Sequence, residues 1–233
     1  MTPTQVVLLV IALILVSFLV GAVRMVLRVR RVRRAMDRNN PDPVAREKVF
    51  KEVGKRANER IPGEIHLEPT QMILWKDQDK WREDYNALEQ HGFQHAGNYK
   101  ITEIGVDLQF LMNPEQHALA CIYNHPVVGV FMDVITRYQD GTSVTFANRK
   151  ATGLDQHPKY QNRFLGEVSA QELVERALRE RPDWEKKPVR EQDLVEDFCR
   201  VWKEYKEWRS QRGTSPEEVE RIYERMHAKQ QEK

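Results

Sequence analysis

Seven histidines and two cysteines are the residues best suited to chemistry: His66, His91, His95, His117, His125, His157 and His227, with Cys121 and Cys199. Imidazole titrates near neutral pH and binds metals, and a thiolate is a nucleophile. Spacing decides whether either is used. His91 and His95 are four apart, the separation that sets two ligands on one helical face, but Gly92 between them breaks that helix. The chain has no His-Glu-x-x-His, no Cys-x-x-Cys pair and no acidic calcium loop. It has no Gly-x-Gly-x-x-Gly or Walker loop, and its eleven glycines are scattered singly. One catalytic arrangement can be written: Cys121 as nucleophile, His125 or His157 as base, Asp133 as the orienting acid. Against it, Cys121 lies mid-strand in an apolar run, where cysteine acts as a small inert hydrophobe, and His125 sits in a turn before Pro126. The expectation is therefore no catalytic, cofactor-binding or metal-binding residue, and no cofactor.

The elements that would position these residues follow from periodicity. Trp81, Tyr85 and Leu88 share one face of a helix over Asp77–His91, with Gly92 placed to end it. From Phe93 to Asn148 the period becomes two. Strands are expected over Gln94–Lys100, Val106–Met112, Leu119–Tyr123, Val127–Tyr138 and Ser143–Asn148, a five-stranded antiparallel meander. Asp140-Gly141 signals a hairpin. A two-residue loop pairs Arg137 with Val144; a three-residue loop with a bulge pairs Tyr138 with Val144. The second is preferred because it turns Asp133 and Arg137 outward. Ser169-Ala-Gln-Glu172 is a capping box, stapled by Val168 and Leu173, for a helix ending before Pro182. The layout is α+β, with helices on one face of the sheet.

Two features lie outside this unit. The first is the N-terminal stretch Val6–Val23, almost purely aliphatic and free of charge, followed within fifteen residues by Arg24, Arg28, Arg30, Arg31, Arg33, Arg34 and Arg38. Eighteen residues give about 27 Å of helix, enough with Met25, Val26 and Leu27 to cross a core of about 30 Å. A cleaved signal peptide would carry its charge before the apolar run, and here the flank Met1–Gln5 has none. The arginines hold their side in the cytoplasm and suit an anionic inner leaflet. The second feature is Leu194, Phe198, Val201, Tyr205 and Trp208, spaced as an a/d seam of about two heptads. Ser215-Pro-Glu-Glu218 caps a second helix carrying Val219, Ile222, Tyr223 and Met226, so the end of the chain is expected to be an α-helical hairpin. Its seam packs on the protein itself or seats a protein partner.

Charge narrows the partners. Residues 1–40 hold seven arginines and one acid; residues 41–233 hold 30 Lys plus Arg against 34 Asp plus Glu. That mildly acidic body argues against a nucleic-acid-binding domain, and two isolated cysteines suit a reducing compartment.

The segments EQHGFQHAGNYKI, CIYNHPVVGVFMDVITRYQDGTSVTFANRK and DQHPKYQNRFLG carry a resemblance. Over residues 88–180 the chain resembles uncharacterised bacterial single-pass membrane proteins with an LGF..aGdY opening, an H...G strand and a DG...T.tN hairpin. His91 stands where that opening has a leucine. The resemblance implies a bacterial inner-membrane setting and transfers no activity.

The expected organisation is a transmembrane anchor over 1–28, a basic juxtamembrane segment and linker over 29–69, an α+β domain over 70–182 and a helical tail over 183–233. The expected function is a membrane-anchored cytoplasmic binding or scaffolding module. The alternative is a membrane-bound hydrolase-like enzyme with its site near the sheet.

Overall fold

The computed structural model describes residues 61–215, 217–222 and 224, with residues 44, 48, 51, 52, 55 and 59. The expected transmembrane helix and the arginines from Arg24 to Arg38 lie outside the described residues, among which no helix is long and apolar enough to cross a membrane. The six described between 44 and 59 are helical and exposed.

The protein is α+β, as expected, but its sheet has seven strands and is mixed. In spatial and chain order they are β1 (Leu67–Pro69), β2 (Gln94–Ile101), β3 (Val106–Asn113), β4 (Ala118–His125), β5 (Gly129–Arg137), β6 (Ser143–Ala147) and β7 (Tyr160–Phe164). The five expected strands form the centre and pair antiparallel. Two short edge strands extend it. β1 contains Pro69, a residue suited to an edge, and β7 runs parallel to β6 after a long return loop.

Helix α1 (Gln78–Gln90) starts where Asp77 caps the Lys80 amide, at 2.9 Å. It ends in a Schellman turn. Phe93 N–H bonds Leu88 C=O and Gly92 N–H bonds Glu89 C=O, with Gly92 at φ +78°. Helix α2 (Ala170–Glu180) starts with Ser169 accepting from the Glu172 amide at 3.2 Å, the expected cap. Both helices lie on one sheet face, over Leu111, Ala120, Ile122, Met132, Val134 and Phe146.

Helices do not cover that face alone. Helix α3 (Leu194–Arg212) lies against the other, where Leu108, Phe110, Leu119 and Cys121 are buried with Leu194 and flanked by Phe198 and Trp202. The sheet is thus filled on both sides. β3 and β4 require this, because apolar side chains in them occupy both parities. The boundaries placed at 69/70 and 182/183 consequently separate elements that pack together: Ile65 and Leu67 belong to the same core as Leu194. After Gly213, helical residues 217–222 return towards α3.

The β5–β6 hairpin adopts neither expected register. Thr136 pairs with Val144 and Val134 with Phe146, two residues from the preferred pairing but with the same side-chain parity. The cause is a wider loop. The Asp140 carboxylate accepts from the Thr142 amide and hydroxyl at 2.8 and 2.7 Å, and the Tyr138 amide donates to the Thr142 carbonyl at 3.0 Å, while its neighbours Arg137 and Gln139 bond the segment at Glu185–Lys187. Asp133 and Arg137 do not point outward. Both lie on the α3 face, where Asp133 is buried and Arg137 meets Asp197.

Candidate functional site

The one catalytic arrangement available to the sequence is not assembled. Cys121 and Asp133 are cross-strand neighbours, but His125 is four residues further along β4, about 13 Å away at strand rise. Its Nδ1 accepts the amides of Val127 and Val128, at 3.1 and 3.0 Å, so the ring braces a turn. His157 stacks on Tyr160 and meets Trp208 edge-on, and its Nδ1 accepts from the Lys159 amide. Burial, and then the charge of Asp133, push the Cys121 thiol far above its usual range, the opposite of what a nucleophile needs. Burial likewise raises Asp133 to about 6, despite the Arg149 charge and the Tyr123 hydroxyl. Among the described residues no group of His, Cys, Asp and Glu could hold a metal ion.

A second buried carboxylate lies on the opposite face. Asp84 of α1 is fully covered, and burial raises it to about 6 even though Lys80 bonds it at 2.8 Å. Its other partner is Asn148, whose Oδ1 accepts from the Met132 amide at 2.8 Å. This pair ties α1 to the end of β6.

The expected partner seam packs in part within the chain, with Leu194 buried and Phe198, Val201, Tyr205 and Trp208 half-buried. Leu194 is buried on the sheet, and Phe198 meets Phe110 edge-on at 5.6 Å between ring centres. Tyr205 and Trp208 pack together, and Trp208 takes the His157 ring at 5.2 Å. The C-terminal end of α3 is closed by ions instead. Glu218, fully buried, accepts from Arg209 at 2.7 Å, from Arg212 at 3.2 Å and from the Asp155 amide at 3.0 Å. Asp155 in turn pairs with Arg212 and Arg221. Val201 of the seam reaches an open cavity.

That cavity is the candidate site. It is a cleft of about 270 Å³ between the β5–β6 turn, the start of β7 and α3, lined by Arg137, Thr142, Ser143, Tyr160, Lys187 and Arg200 among others. Beneath it Arg137, Lys187 and Arg200 converge on one carboxylate, Asp197; Lys187 is at 3.2 Å and Arg200 at 3.0 Å. Burial works to raise Asp197, but Arg137, Arg200 and Lys187 outweigh it and hold the carboxyl below its usual range. Arg200 also bonds Glu204 at 2.8 Å, and Glu204 accepts from the Tyr160 hydroxyl. Burial, and next that bond to Glu204, push Tyr160 up to about 12. Three cations of the cleft lining are thus paired with two carboxylates, Asp197 and Glu204, with hydroxyls beside them. This arrangement can accept an anionic group.

Part of this site leaves a trace in sequence. Asp197, Arg200 and Glu204 are spaced i, i+3 and i+7, a charge ladder along one side of α3. Arg137 and Lys187 carry no such signal, because only the β5 to 185–187 pairing brings them there.

Comparison with family models, curated proteins and solved structures finds no match to this chain.

Proposed function

We propose that the protein is a membrane-anchored cytoplasmic binding module whose cleft between the β5–β6 turn and α3 takes a small anionic group, a carboxylate or a phosphate. Its placement rests on the N-terminal apolar stretch and the arginines that follow it. The observation that carries the ligand class is the convergence of Arg137, Lys187 and Arg200 at an open cleft over Asp197. The filled sheet faces and the dismantled Cys121–His125–Asp133 arrangement weigh against the hydrolase-like alternative. A scaffolding role through the α3 seam loses its support for the same reason that α3 is stable: Leu194 and Phe198 already cover the sheet.

Calorimetric titration of the detergent-solubilised full chain with inorganic phosphate and with citrate tests the cleft. Saturable binding that weakens at high salt is expected for at least one of them. A charge-assisted hydrogen bond contributes about 1.5–3 kcal/mol, so Lys187→Ala and Arg200→Ala should each weaken binding roughly tenfold or more. Absence of saturable binding to either anion, or affinity indifferent to both substitutions, would refute the ligand class.

A further inference from the structure

The turn joining β4 to β5 is apolar where turns are ordinarily polar. Its tip is Pro126-Val127-Val128, with Val127 87% and Val128 57% exposed. Leu74, 78% exposed, lies at the same sheet end, because its carbonyl accepts from Asn124 Nδ2 at 3.0 Å. The tip is braced in this outward position. The Val127 and Val128 amides both donate to His125 Nδ1, the Lys76 ammonium donates to the Pro126 carbonyl, and Gly129 turns the chain at φ +89°. These bonds hold both valines out in solvent.

The position of the tip says which surface. Leu67 pairs with Ile101 and Ile101 with Val106, while Asp107 pairs with Asn124. The segment leading in from the N-terminal stretch therefore joins the sheet at the same end as the tip. That end also presents Lys76 and, past β6, the exposed Lys150, beside the acids Asp77, Glu103, Asp107 and Glu167, Glu103 being paired with His66. Apolar side chains projecting beyond a ring of mixed charge that includes lysines match the headgroup–acyl boundary of a bilayer.

We infer that Val127 and Val128, with Leu74 beside them, insert into the membrane to which the N-terminal stretch anchors the chain, fixing the orientation of the sheet on the bilayer. The inference rests on the anchor proposed above. The anchor supplies a high local concentration of lipid, so a shallow apolar tip is enough for stable contact.

The test uses the full chain with Cys199→Ser, Cys121 being fully buried, reconstituted in vesicles of zwitterionic and anionic phospholipid. An environment-sensitive fluorophore is placed by Val127→Cys, by Val128→Cys as a second position, and by Glu115→Cys in the exposed β3–β4 turn at the opposite end of the sheet. The labels at 127 and 128 should emit to the blue of the label at 115 and lose intensity when nitroxide-bearing lipids are included. Alkaline carbonate washing is read in parallel. Retention of the chain with labels at 127 and 128 indistinguishable from 115 overturns the tip and leaves the anchor standing; a tip reserved for a protein partner would give this result. Release of the chain by carbonate overturns the anchor and the tip with it.

Discussion

Ending the chain at Lys187 should unfold the sheet. Helix α3 is the second cover of the sheet, and without it Leu108, Phe110, Leu119 and Cys121, all now inaccessible, would meet water. Burying one large aliphatic or aromatic side chain is worth about 1.5–3 kcal/mol, and a domain's whole stability is about 5–15 kcal/mol. Loss of Leu194, Phe198 and Trp202 together with the sheet residues beneath them exceeds that margin. The truncation also removes Asp197, leaving Arg137 half enclosed without its carboxylate. Circular dichroism followed through thermal and urea denaturation of the two chains in the same detergent should show a cooperative transition for the full chain and none for the shorter one. A truncated chain that unfolds cooperatively at the original midpoint would mean that α3 is an appendage.

Phe110→Ala should cost about 3–5 kcal/mol, the largest loss expected from any one substitution in the α3-side core. Phe110 has no exposure and sits at the centre of an aromatic group, 5.4 Å from the Tyr99 ring and 5.6 Å from that of Phe198. It is the residue through which β2, β3 and α3 meet. Helix and sheet cannot close on the resulting void without breaking the pairing of Phe110 with Cys121 on one side and Gly97 on the other. Urea denaturation reads the loss directly as a lowered midpoint at unchanged slope. A loss below about 1 kcal/mol would contradict the packing of α3 on this face.

The local signals in the sequence account for the elements and not for their neighbours. The stripe of Trp81, Tyr85 and Leu88, the glycine at 92 and the box at Ser169 each act within one or two turns of helix, and α1 and α2 form where those signals lie. Alternation likewise places β2 to β6. What period two does not give is the partner of an edge. β1 is three residues long, and β7 pairs across a loop that no periodicity spans. The second cover was legible in principle. Ala118–Tyr123 is apolar at consecutive positions, the pattern of a strand buried on both faces, and α3 carries a stripe that needed a surface. Val127 and Val128 have strand-forming side chains but precede Gly129, whose positive φ starts β5 only after them. The cleft was the least legible feature. Arg137 and Asp197 are 60 residues apart, and their meeting depends on how wide the loop at Asp140 opens.

The placement of the module at the cytoplasmic face of a membrane decides which solutes reach the cleft and which leaflet the tip meets. It rests on charge asymmetry: Met1–Gln5 carries no Lys or Arg, and seven arginines follow the apolar stretch. Two fusions after Lys233 measure it in a bacterial inner membrane, one to a fluorescent protein that matures only in the cytoplasm and one to a phosphatase active only after export. A fluorescent first fusion and a silent second are expected. A dark first fusion with an active phosphatase would put residues 24–233 on the far side of the membrane and contradict that placement.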